Sequence, residues 1–379
     1  MTRAPLPGLR RLGVVIATCA LLAAGCGHPA DAPRPAAEPA TTTRAAAATL
    51  DQRPTTVGIA DSDLLGLPPA QVVDAVGRMK QLGVTTVRLL VPWAAIEPSP
   101  NVYDWSMVDK TVNAVAAQKF SILATLNSPP GWAVVPGQPA IAGRPASPAA
   151  FGVFAGKVAE HFRGKVAAYE IWNEPNGSAF FAPAPDPAGY ADLLKAAYPS
   201  IKAMAPSAVV VAAGLGSVVD YSTLAMDPVK FVSGMYAAGA KNSFDALAYH
   251  PYQYTMKFSE SWHPDAPLNQ LNGIREAMLA NGDGDKKIWA TEYGEPSSEV
   301  GEKAQAEYLD DMLATWRTLP FTGPVYVYTM RDRNSASREA DDTLGIFRSD
   351  GTPKPAERVV TSYFGMRGAA ADGSSPAPR

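Results

Sequence analysis

The pattern of apolar and polar positions is regular from Thr55 onward. A short apolar run of β-type residues is followed by a polar loop and then by a stretch with helical spacing. The runs are Thr56–Ile59, Thr85–Val91, Phe120–Leu126, Val166–Trp172, Ala208–Ala212, Ala246–His250, Lys287–Thr291 and Pro324–Thr329. Most are continuously apolar rather than alternating, as expected of strands buried on both faces of a parallel sheet. Helix starts are marked between them. Ser147-Pro148, Asp186-Pro187 and Asp227-Pro228 each place a capping side chain before a proline at the first helical position. Behind Asp186, residues Tyr190, Leu193, Leu194, Ala197, Tyr198 and Ile201 fall on one helical face. Phe151, Phe154, Val158 and Phe162 stripe another helix, and Tyr308, Met312 and Trp316 a further one.

Eight such units in one stretch predict a single closed (β/α)8 TIM barrel over residues 55–367, with an open doubly wound sheet as the alternative. The flanks break the pattern. Arg3, Arg10 and Arg11 precede the uncharged stretch Leu12–Gly25, too short to span a bilayer but suited to an export signal. It ends Leu22-Ala23-Ala24-Gly25-Cys26, which resembles a bacterial lipobox with Cys26 as the lipidated residue. Cleavage without lipid is the alternative, and Arg10-Arg11 leaves the export route open between the general secretory and twin-arginine systems. Residues 1–26 are thus expected to be a signal peptide. Residues 27–54, rich in Ala, Pro and Thr, are expected to be a flexible tether, and 368–379 a disordered tail.

Composition narrows the chemistry. The 379 residues carry a net charge of −3, which implies no nucleic-acid partner. Both cysteines, Cys19 and Cys26, lie in the leader, so the folded part has neither a disulfide nor a thiolate metal site. The four histidines lack ligand spacing. No cofactor is implied, and the chain is expected to act as a monomer.

In such a barrel, functional side chains stand at the C-terminal ends of the strands. Those positions hold Arg88 and Trp93 (strand 2), Asn127 (strand 3), Asn173 and Glu174 (strand 4), His250 and Tyr252 (strand 6), Glu292 (strand 7), and Tyr328 with Arg331 and Asp332 (strand 8). Two glutamates at strand ends, three units apart at about 39 residues per unit, suggest acid–base and nucleophilic work by carboxylates. Arg88 on an apolar strand calls for a carboxylate partner, either Glu170 or Glu292. Arg331-Asp332 reads as an ion pair on the rim. Trp93, Trp132, Phe180, Phe181, Tyr254 and Trp262 are candidate platforms for sugar rings or else core aromatics.

Here the residues resemble a known group. Glu170-Ile-Trp-Asn-Glu-Pro-Asn176 is similar to the acid/base strand of retaining glycoside hydrolases of clan A, and Trp289-Ala-Thr-Glu-Tyr-Gly294 to their nucleophile strand. Val87-Arg88 with Pro92-Trp93 and Ile96-Glu97-Pro98, and Ala248-Tyr-His-Pro-Tyr252, look like the second and sixth strands of family 39 and related endo-glycosidases. The resemblance implies that Glu292 attacks the anomeric carbon and that Glu174 protonates the departing oxygen and then activates water. It implies substrate contacts from Arg88, Trp93, Asn127, Trp132, Asn173, His250, Tyr252 and Tyr328. Asn173 would bind the hydroxyl beside the anomeric carbon, and Arg88 with Tyr252 or His250 would hold Glu292 ionised. Strand 8 departs from the pattern: Tyr326 and Tyr328 stand where many clan members have tryptophan. The expected partner is an oligo- or polysaccharide of the cell envelope or exterior, met by a protein tethered to the membrane through Cys26. A glycan-binding barrel without catalysis is the competing class.

Overall fold

The apolar runs form eight strands, β1 (Val57–Ala60), β2 (Thr86–Pro92), β3 (Ser121–Asn127), β4 (Ala168–Asn173), β5 (Val209–Gly216), β6 (Ala246–His250), β7 (Ile288–Tyr293) and β8 (Thr322–Tyr328). Each pairs in parallel with its sequence neighbours, and β1 closes on β8. The computed structural model describes residues 49–364. The signal peptide, Cys26, the tether up to residue 48 and the tail lie outside the described residues.

Helices return the chain between strands, among them Pro69–Gln81, Ser106–Ala117, Pro148–His161, Pro187–Met204, Pro228–Ala237, Pro267–Ala280, Glu302–Trp316 and Pro355–Phe364. The predicted caps form. Ser147 accepts from the Ala150 amide, Asp186 from Gly189, and Asp227 from Val229 and Lys230. On the Glu302–Trp316 helix, Leu309, Met312, Leu313 and Trp316 are buried, and Tyr308 lies at the edge of that face.

Apolar strand side chains pack outward against the helices in one large core. The inward residues form a second layer: Ala60, Leu123, Ala168, Val211, Ala246 and Ala248 leave room for Trp289 and Tyr326. Small residues on some strands thus face large ones on others, as a filled barrel requires. Above this apolar floor lies a polar layer, and above that the mouth.

Two boundaries differ from expectation. Residues 49–54 belong to the folded body rather than to the tether: Leu50 packs against the inner layer, and Thr49 accepts a hydrogen bond from Ser121 Oγ at the foot of β3. Strand β5 runs four residues past the apolar run, to Gly216. Its register shifts between Ala212 and Gly214, and glycine interrupts the apolar signal there.

Candidate active site

Glu174 follows β4 in a tight turn. Trp172 has φ 75° and Glu174 φ 45°, conformations that side-chain-bearing residues adopt only under constraint. The constraint is packing. The Trp172 indole lies against Phe151 and Phe181, and its Nε1 donates to the Phe180 carbonyl at 2.8 Å. The Glu174 amide donates to the Gly214 carbonyl, while Asn176 bonds both the amide and the carbonyl of Gly216. A Cβ on Gly216 would stand 3.4 Å from the Glu174 carboxyl carbon, in ordinary contact, so this backbone lies directly beside that side chain.

Beneath it lies a buried network. Arg88 Nε donates to Glu170 at 2.7 Å, its Nη1 to Glu292 Oε1, and its Nη2 to Asn173 Oδ1 at 2.8 Å. Arg88 is therefore paired with both carboxylates that the sequence offered as alternatives. Glu170 also accepts from Thr125 and Thr291, each at 2.6 Å. His250 is fully buried between Thr291 Oγ1 and Glu174 Oε1, 2.9 Å from each. Its Nδ1 also lies 4.0 Å from Glu292 Oε2. The two glutamate oxygens therefore stand within about 7 Å of each other. Tyr252 donates to Glu292 Oε2 at 3.0 Å.

Electrostatics favour charge on Glu292. Burial alone pushes its carboxyl up, but Arg88, His250 and the Tyr252 hydroxyl outweigh it and hold the group below its ordinary 4.5. Burial and the Glu292 charge push the Tyr252 phenol well above its ordinary value, so it stays a donor. Burial does the same for Tyr328, whose oxygen accepts from Arg333 Nη2 at 3.2 Å. Arg333 is held in turn by both oxygens of Asp63.

The predicted residues divide by place. Glu174, Glu292, Arg88, Asn173, His250, Tyr252 and Tyr328 converge at the mouth or directly below it. Asn127 stands half-buried at the end of β3 and accepts from Ser128 Oγ. Trp132 is 38% exposed on the loop after β3 and donates to the Glu97 carbonyl. Trp93 is corrected. It has no exposed surface, stacks on Phe154 and donates to Glu97, because the turn after β2 folds it under the loops rather than into the cleft. His250 is likewise sealed from solvent and cannot touch a sugar. Phe181 is core. Trp262 is exposed, but its loop turns outward: Ser259 bonds Asp311 on the Glu302–Trp316 helix, and Phe258 packs on Trp316. Asp332 pairs with buried Lys354 at 2.8 Å, not with Arg331, which is exposed. The residues missed from sequence are Thr125, Thr291, Asp63 and Arg333. Strand register offered a signal for one of them, since Thr125 lies directly opposite Glu170.

Residues 64–319 match the family model for cellulase, glycosyl hydrolase family 5. Solved structures share the fold. A family 39 glycoside hydrolase from Bacteroides cellulosilyticus superposes with a TM-score of 0.67 at 20% identity over 83% of this chain, which spans 64% of that one. A monomeric beta-xylosidase from Caulobacter crescentus gives 0.62 at 18% identity, over 86% of this chain and 71% of that one. GH5_18 from Streptomyces cattleya in complex with GlcNAc gives 0.62 at 16%, over 86% and 83%. No curated protein matches the sequence.

Proposed function

From the premise that the chain belongs to the cellulase family of glycosyl hydrolases, family 5, and is a glycosidase, we propose that it cleaves a polysaccharide with retention, using Glu292 as nucleophile and Glu174 as acid and base. The observation that carries this reading is the convergence of both carboxylates on one nitrogen, His250 Nδ1, at 2.9 and 4.0 Å. A retaining pair of carboxyls stands about 5–5.5 Å apart and an inverting pair about 6.5–9.5 Å, and a ceiling of about 7 Å on one oxygen pair supports the retaining arrangement over a widely separated pair.

The roles follow from the surroundings. Glu292, held ionised by Arg88 and Tyr252, attacks the anomeric carbon. Glu174, whose side chain keeps 18% of its surface exposed at the mouth, gives a proton to the departing oxygen and then takes one from the attacking water. Asn173 is oriented by Arg88 through its carbonyl oxygen, which leaves its amide hydrogens for a sugar hydroxyl. The loop after β3 rims the cleft, with half-exposed Trp132 as a stacking surface, and favours endo action on an extended chain. The leader supports export, with lipid attachment at Cys26, so the substrate is a glycan of the envelope or exterior.

The test is product stereochemistry. Purified protein is incubated with a panel of envelope polysaccharides, and the first product released is followed by proton NMR. The expected product keeps the substrate's anomeric configuration, and Glu292→Ala releases none. An inverted first product overturns the mechanism.

A further inference from the structure

The most constrained side chain in the site is that of His250, and the hydrogen bonds around it fix where its protons lie. Glu170 receives Arg88 Nε at 2.7 Å and the hydroxyls of Thr125 and Thr291 at 2.6 Å. A carboxylate paired with a guanidinium in this way only accepts. The Thr291 hydroxyl has one hydrogen, and Glu170 takes it. Toward His250 the same oxygen can only accept, so Nε2, 2.9 Å away, carries a hydrogen. A neutral imidazole then turns a lone pair at Nδ1 toward Glu174 Oε1, also at 2.9 Å. An ionised Glu174 opposite that lone pair would set two acceptors face to face.

We infer that Glu174 and His250 hold one proton between them, and that Thr291, held by Glu170, fixes the imidazole tautomer that makes them share it. The proton sits on Oε1 or on Nδ1 of the same bond. The other groups around the ring do not compete for it. Glu292 Oε2 lies 4.0 Å from Nδ1 and is bonded by Tyr252, and the Tyr252 ring stands edge-on at 6.3 Å. Glu170 and Arg88 act through Thr291. Gly214 completes the arrangement, since a Cβ there would overlap the imidazole.

The inference deepens the reading of Glu174 as acid and base and rests on it for its catalytic meaning. In the first step the carboxyl turns the shared proton from Nδ1 to the glycosidic oxygen. The bond between that oxygen and the anomeric carbon breaks, its electron pair stays on the oxygen, and a Glu292 oxygen bonds the carbon. Glu174 is then a carboxylate facing the Nδ1 lone pair. That opposition is relieved when water, attacking the anomeric carbon and displacing Glu292, returns a proton to Glu174. His250 is thus a positioning residue for the proton rather than a sugar ligand.

Nitrogen-15 NMR of histidine-labelled full-length protein tests this without substrate. The sequence has four histidines, and His250→Asn assigns the resonance. The expected spectrum shows Nε2 of His250 carrying its hydrogen and Nδ1 displaced from the position of a free lone pair by the shared proton. In Thr291→Val the preference relaxes toward a mixture of tautomers, and in Thr291→Ser it returns. A neutral His250 protonated at Nδ1 in the parent protein overturns the inference, as do an Nδ1 resonance at the position of a free lone pair and a Thr291→Val spectrum identical to the parent. The parent spectrum decides the matter even if the valine variant fails to fold. The two readings fail separately. If the tautomer is as inferred but Glu174→Ala still cleaves the polysaccharide at the parent rate, the acid/base role falls and the shared proton stands. If Glu174→Ala abolishes cleavage but the tautomer is wrong, only this inference falls.

Discussion

Tyr252 gives its hydroxyl hydrogen to one oxygen of Glu292, at 3.0 Å, while Arg88 binds the other. The carboxylate therefore has a donor on each oxygen inside a buried site. Burial opposes its charge, but Arg88, His250 and Tyr252 hold the group below 4.5. A carboxyl depressed on folding stabilises the native state above its unfolded value, and that stability is lost as pH falls through the folded value. The Glu292 contribution is thus full above 4.5 and disappears below it. The gap in melting temperature between the parent and Glu292→Gln should narrow as pH falls from neutral to below that value. Calorimetry over the range checks this, and a gap independent of pH contradicts it.

Asp61, just past β1, has the opposite sign. It is 8% exposed, and burial with the neighbouring Asp63 pushes its carboxyl up to about 7 despite Arg331. Between its ordinary 3.8 and about 7 the folded state binds a proton that the unfolded state has released. Stability therefore falls as pH rises through that window. Asp61→Asn removes the dependence and keeps an oxygen for the Asp63 amide. The variant should gain on the parent steadily between the two values, read as a rising difference in urea midpoints.

The two tryptophans expected at the cleft should now behave differently. Trp93 is core, so Trp93→Ala costs about 3–5 kcal/mol of stability by leaving a cavity. Trp132 keeps 38% of its surface open, so Trp132→Ala costs less in stability and raises KM for an extended glycan. Unfolding curves and a substrate titration on both variants separate the cases. A KM effect confined to a well-folded Trp93 variant would reverse the assignment.

The sequence carried the barrel because its strands are buried on both faces. Continuous apolar runs and proline-marked helix starts leave few other arrangements, and the caps at Ser147, Asp186 and Asp227 form where they were read. It also brought Arg88, Glu174, Glu292 and Tyr252 to one mouth, because strand ends share a face of the barrel. Other features were hidden for physical reasons. Trp93 follows β2 as Glu174 follows β4, and only the turn that folds it under the loops distinguishes a core indole from a cleft indole. Thr125 and Thr291 look like ordinary strand residues. Register sets Thr125 against Glu170, whereas Thr291, on a strand that does not pair with β4, meets it only across the barrel interior. The loop after β6 reads as an aromatic cleft wall, yet its Ser259 anchor to Asp311 carries it outward.

Gly214 tests whether the buried network and the mouth are one unit. Its place on β5 brings the backbone against His250. A Cβ there would lie 2.6 Å from the ring carbon Cε1 and 3.1 Å from Glu170 Oε1, and it would overlap Nε2. Neither neighbour can yield easily, because the ring is held at both nitrogens and Glu170 by three donors. Overpacking of this kind costs about 1–3 kcal/mol. Gly214→Ala should therefore fold with a lowered melting temperature and lose glycan cleavage by at least tenfold, because a displaced imidazole breaks the contact with Glu174. Gly216→Ala is the internal comparison. Its Cβ would meet Glu174 at 3.4–3.6 Å, an ordinary contact, so activity should fall less. Cleavage rates and unfolding curves of the two variants, measured side by side, decide it: equal activity losses at the two glycines would show that the imidazole's position is not what matters.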